Sequence, residues 1–126
     1  MLPTAWQLAL RDCPLCPIHQ DVPMSQIRYV TQIEFDFGAV RSLRRECERV
    51  GITRPLIVTD AGVRAAGVLD RVLKALGELP AAIFDETPSN PTEGAVRAAT
   101  RLYRQAGCDG LIAVGGGSAI DCAKGV

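Results

Sequence analysis

The sequence predicts an α/β fold, a parallel sheet with flanking helices. Three observations lead there. Short apolar runs alternate with amphipathic stretches of about 12 to 16 residues, the pattern of βαβ units. The amphipathic stretches close at Gly51, Gly77 and Gly107, as helix C-termini do. The last apolar run passes directly into a helical pattern through Gly115, Gly116 and Gly117, where the missing Cβ atoms permit a tight turn.

Each element has its own signal. Tyr29 to Phe37 alternates in part, with Val30, Ile33, Phe35 and Phe37 apolar and Gln32, Glu34 and Asp36 between them. This predicts a strand near a sheet edge. Ala39 to Val50 predicts a helix, because Val40, Leu43, Cys47 and Val50 recur at three- and four-residue steps. Pro55 to Thr59 is a short apolar run ending at Asp60 and predicts a buried strand. Val63 to Leu76 predicts a second helix, with Ala66, Leu69, Val72, Leu73 and Leu76 on its inner face. Ala81 to Phe84 predicts a third strand. Pro91 to Ala106 predicts a helix that turns Val96, Ala99, Tyr103 and Ala106 inward. Gly110 to Val114 predicts a fourth strand, and a helix begins near Ser118.

Composition narrows the function classes. The 126 residues suit one domain, and 48% apolar with 22% charged residues allows a core and a soluble surface. Fourteen basic and fourteen acidic side chains cancel, which removes the electrostatic reason to expect nucleic acid or an anionic membrane as partner. No apolar run approaches the roughly 18 residues of a membrane span. Met1 to Leu10 lacks the basic start of a signal peptide, so the expected compartment is the cytoplasm. Residues 1–23 carry four prolines and no lasting period. They are expected to be a disordered leader, with Met24 the natural start and 24–126 the domain. Cys13, Cys16, Cys47, Cys108 and Cys122 are odd in number and scattered, so reduced thiols are expected. Cys13 and Cys16 with His19 supply three of the four ligands of a structural zinc site, and no strand precedes them; chance spacing explains them better.

The glycine turn is the feature with chemistry. A strand, a glycine turn and a helix N-terminus present unpaired N–H groups and a partial positive charge, which together suit an anion, most often phosphate. The letters fit neither of two common patterns. A Walker loop needs Lys directly before Ser or Thr, and Lys124 is not so placed; the G-x-G-x-x-G spacing is missing as well. The plain structural alternative is a turn with Ser118 as N-cap and Asp121 in a capping-box position.

Gly115-Gly116-Gly117-Ser118-Ala119-Ile120-Asp121-Cys122-Ala123-Lys124 resembles the GGGSxxDxxK stretch of the iron-containing (group III) alcohol dehydrogenase family. Leu56-Ile57-Val58-Thr59-Asp60 resembles that family's first nucleotide-binding strand, and Phe84 to Thr92 its NPT segment. Gly107-Cys108-Asp109-Gly110 is also family-like. These motifs occur in the family's order over about Ile33 to Val126. Within it, Phe35 to Val40 and Asp85 to Thr92 look most like the 4-hydroxybutyrate dehydrogenases.

The resemblance implies a Rossmann-like dinucleotide-binding domain, truncated at Val126, with the helical metal-binding domain absent. In the family that domain carries an Asp and three His that hold a divalent metal, iron or zinc, which polarises the alcohol oxygen while hydride passes to the nicotinamide. The implied cofactor is NAD rather than NADP, and the implied substrate a small alcohol or aldehyde. Homo-oligomerisation of a full-length enzyme is left open. No catalytic residue or metal ligand is assigned here.

The implied cofactor-binding residues are Asp60, Asn90, Gly116, Gly117, Ser118 and Asp121. Asp60, at a strand end, suits ribose hydroxyls and repels a 2′-phosphate; its plain reading is an N-cap. Asn90 reads as an N-cap ahead of Pro91 and Glu93 that also faces the cofactor. Ser118 either donates to a pyrophosphate oxygen or caps its helix. Asp121 carries less weight, since a carboxylate beside phosphates is repelled. Two alternatives remain. One is an enzyme like dehydroquinate synthase or glycerol-1-phosphate dehydrogenase, which share a glycine turn. The other is a non-enzymatic nucleotide-binding remnant.

Overall fold

The computed structural model describes residues 33–126. Three strands, β1 (Pro55–Val58), β2 (Ala82–Phe84) and β3 (Gly110–Ala113), form one sheet in the order β2-β1-β3, and both pairings are parallel. Ile57 stands in register with Ile83 on one side and Ile112 on the other. β1 is therefore central. Its Leu56, Ile57 and Val58 are wholly buried, each worth about 1.5–3 kcal/mol of apolar burial.

Successive residues of β1 point to opposite faces, so each face has its own core. Leu56 and Val58 pack with Phe84, Ala99, Cys108, Cys122 and Ala123. The helices on that side are α4 (Glu93–Gln105) and α5 (Gly117–Gly125). Ile57 packs with Cys47, Leu69, Val72, Leu76 and Val114, under α1 (Leu43–Val50) and α3 (Val68–Leu76). The short helix α2 (Ala61–Ala65) follows β1 directly. Helices thus cover both faces, the parallel α/β architecture the alternation predicts.

Four local expectations need correction. The expected strand over Tyr29 to Phe37 is not formed in its described part. Ile33 to Phe37 has no strand, and Phe35 and Phe37 are 98% and 97% exposed; alternation alone does not make a strand. Residues 29–32, the expected leader 1–23, Met24 and the Cys13–Cys16–His19 group lie outside the described residues. Ala39–Ser42 forms a 3₁₀ turn rather than the first turn of α1. The expected single helix from Val63 to Leu76 is two, because Gly67 adopts φ 71° and ends one before the other begins; Ala66 is exposed at this break. The N-cap of α4 is Thr92, whose side chain accepts from the Ala95 amide. Asn90 does not cap it: the helix begins after Thr92, and Asn90 and Pro91 both precede that cap.

Candidate functional site

The C-terminal ends of the three strands converge on a cleft of about 390 Å³ lined by Asp60, Ala61, Gly62, Thr87, Pro88, Ser89, Gly116 and Ser118. Parallel strands place their following loops on one edge of the sheet, the usual position for a ligand in this architecture. Thr59 draws the edge together. Its amide donates to the Phe84 carbonyl at 2.8 Å, its hydroxyl to the Val114 carbonyl at 2.8 Å, and its carbonyl accepts from the Thr87 amide at 3.3 Å. This buried threonine links all three strand ends, and its signal in the sequence was a lone polar residue closing an apolar run.

Asp60 caps α2. Its Oδ1 accepts from the Val63 amide at 2.9 Å. The capping reading of Asp60 therefore holds, and the same carboxylate also lines the cleft. Beside it, Arg64 of α2 ion-pairs with Asp85, the residue after β2. The hydrogen bond from Arg64 holds the Asp85 carboxyl below the usual carboxylate range.

The three glycines of the turn differ in what they need. Gly115 has φ 142°, and a Cβ there would meet Ala119 Cβ at 3.2 Å, Val63 Cγ2 at 3.3 Å and Asp60 Oδ2 at 3.4 Å. The fold itself requires glycine at 115. Gly116 and Gly117 have nothing within 4 Å of a Cβ, and Gly116 has an ordinary φ of −86°. The fold does not require glycine at these two positions; they leave room for another group to approach the backbone.

Gly116 is also the N-cap of α5, and no side chain caps that helix. The plain structural alternative, a capping box of Ser118 and Asp121, is therefore not what forms. Ser118 lies inside the first turn, and its hydroxyl donates to the Ser89 carbonyl across the cleft. Asp121 is one turn further on, exposed, with Lys124 Nζ at 3.7 Å. The first amide bond of the helix runs from Ile120 to the Gly116 carbonyl. A helix that starts in this way offers its first-turn amides and the positive end of its dipole, about half a charge, to an anion.

Of the six residues singled out in the sequence, Asp60, Gly116 and Ser118 line the cleft together and Gly117 adjoins them. Asn90 is exposed next to Ser89, and Asp121 is turned to Lys124. Thr87 and Ser89 were missed. Thr87 Oγ1 is buried without a hydrogen-bond partner, a state that costs about 1–3 kcal/mol. Among the described residues no group of three or more His, Cys, Asp or Glu is arranged to hold a metal ion. None of their helices is long and apolar enough to cross a membrane.

Comparison with known proteins adds the family. The 4-hydroxybutyrate dehydrogenase of Cupriavidus necator is 63% identical over 103 residues, which is 82% of this chain and 27% of that enzyme. The crystal structure of a 1,3-propanediol oxidoreductase superposes with TM-score 0.65 at 38% identity, over 68% of this chain and 23% of that one. The sulfoacetaldehyde reductase of Bifidobacterium kashiwanohense, solved in complex with NAD+, superposes with TM-score 0.72 at 25% identity, over 79% of this chain and 26% of that one. The chain spans about a quarter of the length of these relatives. The family model described as iron-containing alcohol dehydrogenase matches residues 30–126, and the chain belongs to that family of oxidoreductases.

Proposed function

We propose that residues 24–126 are part of the dinucleotide-binding domain of an NAD-dependent alcohol dehydrogenase, and that the cleft receives the adenosine and pyrophosphate portion of NAD. One observation carries the reading. Gly116 and Gly117 leave open space at an uncapped helix N-terminus, directly across from a carboxylate at a strand end. A pyrophosphate suits the first, and a ribose diol suits the second. The first-turn amides of α5 would hold phosphate oxygens. Asp60 would accept from ribose hydroxyls and oppose a 2′-phosphate. Ser118 would keep the loop after β2 close to the turn through Ser89, and Asn90 and Asp121 would stand at the margins of the bound cofactor. When bound, the dinucleotide supplies the hydride acceptor.

The proposed substrate is a small primary alcohol or ω-hydroxy acid, with oxidation of 4-hydroxybutyrate to succinate semialdehyde as the leading case. The support is the 63% identity to an enzyme of that name. The proposed setting is cytoplasmic. The described residues are not grouped to hold the family's metal, so no step of this reading runs through it.

Calorimetric titration of the purified chain tests the cofactor assignment. NAD+ is expected to bind at least about tenfold more tightly than NADP+, a difference of 1.4 kcal/mol. A chain that is folded by circular dichroism and binds neither dinucleotide contradicts the cleft assignment. Equal binding of the two contradicts the role given to Asp60.

A further inference from the structure

Thr87 stands out among the cleft residues. Only 5% of it is exposed, and its Oγ1 has no hydrogen-bond partner. Its backbone is fixed, because its amide donates to the carbonyl of Thr59, the residue before Asp60. The threonine is therefore tied to the strand end that presents Asp60, and both residues line the same cleft. Nothing in the fold uses the hydroxyl. A valine would fill the same volume without burying an unpaired polar atom.

We infer that Thr87 is a specificity-determining residue for the adenosine end of the cofactor, where its hydroxyl pairs with a sugar hydroxyl that Asp60 leaves half satisfied. This rests on the dinucleotide reading given above. An ionised carboxylate only accepts hydrogen bonds. It satisfies the protons of a ribose diol but gives nothing to the diol's oxygen lone pairs. A threonine hydroxyl both donates and accepts, so it supplies the missing donor. At the adenosine end, a ribose that keeps its diol is favoured over one without it.

The test uses the purified chain, with ADP-ribose and nicotinamide mononucleotide as probes beside NAD+. Thr87→Val is expected to weaken ADP-ribose and NAD+ by about five- to tenfold, to leave nicotinamide mononucleotide unchanged, and to melt no lower than the parent. Thr87→Ser keeps the hydroxyl and is expected to bind ADP-ribose within about twofold of the parent. Thr87→Ala, a second hydroxyl-free variant, is expected to weaken ADP-ribose as the valine does. The inference is overturned if hydroxyl-free variants bind ADP-ribose like the parent. It is equally overturned if Thr87→Ser loses affinity to the same extent, since packing of the methyl would then be the cause. If the parent chain binds neither ADP-ribose nor NAD+, the dinucleotide reading itself fails and this inference goes with it.

Discussion

Asp60 Oδ2 stands 3.4 Å from the point where a Cβ on Gly115 would sit. The ends of β1 and β3 close on each other there, and the first glycine of the turn has no room for a side chain. Its φ of 142° adds to the restriction. Gly115→Ala is expected to destabilise the chain by about 1–3 kcal/mol through backbone strain and crowding. A thermal melt that leaves the midpoint unchanged would show that the turn relaxes freely.

Asp60 has two roles that substitution separates. Asp60→Asn keeps an N-cap of similar quality, so stability is expected to stay within about 0.5 kcal/mol. It removes the charge, and the preference for NAD+ over NADP+ is expected to narrow. Asp60→Ala also loses the bond from the Val63 amide and is expected to cost about 1 kcal/mol. Chemical denaturation and paired titrations of both dinucleotides read the two effects.

The start of α4 gives a second contrast. Thr92 accepts from the Ala95 amide at 3.3 Å, whereas Asn90 is exposed two residues earlier. Thr92→Ala is expected to cost about 1 kcal/mol and Asn90→Ala less than about 0.5 kcal/mol. Denaturation midpoints in the reverse order would return the cap to Asn90.

Asp109 is expected to make stability depend on pH. It accepts from the Thr53 hydroxyl, from the Thr53 amide at 2.8 Å and from the Arg54 amide at 2.7 Å. The Thr53 side chain, then the Arg54 amide, holds its carboxyl below the usual range. A carboxyl lowered in the folded state contributes stability above its unfolded pKa, about 3.9, and loses it as pH falls through the folded value. Asp109→Asn is expected to lower the melting midpoint near neutral pH, with the gap to the parent shrinking below about pH 4. A gap that stays constant down to about pH 2 would show that the carboxylate charge contributes nothing.

Much of the fold was legible because β1 is covered on both faces. A strand in that position must be apolar throughout, and Leu56-Ile57-Val58 is. The division between α2 and α3 was not legible, because the apolar spacing runs on through Gly67 and only the observed left-handed conformation reveals the break. The family motifs led to Asp60, Gly116 and Ser118, which the fold brings to one cleft. The same letters misplaced the cap of α4, because the N-cap pattern at 90–93 competes with Thr92 a short step away. Thr87 carried no local signal. Its amide bonds the carbonyl of Thr59, just past the end of β1, a relation that spacing cannot express.

Gly117→Ala tests the central claim most directly. Nothing lies within 4 Å of a Cβ at this position, and it falls in the first turn of α5. Alanine in a helix is favoured over glycine by about 0.5–1 kcal/mol, so the variant is expected to melt at or above the parent. The added methyl enters the space assigned to the pyrophosphate, and NAD+ affinity measured by calorimetry is expected to fall by about tenfold or more. Unchanged NAD+ affinity in a variant of equal or greater stability would contradict a phosphate cradle at this turn.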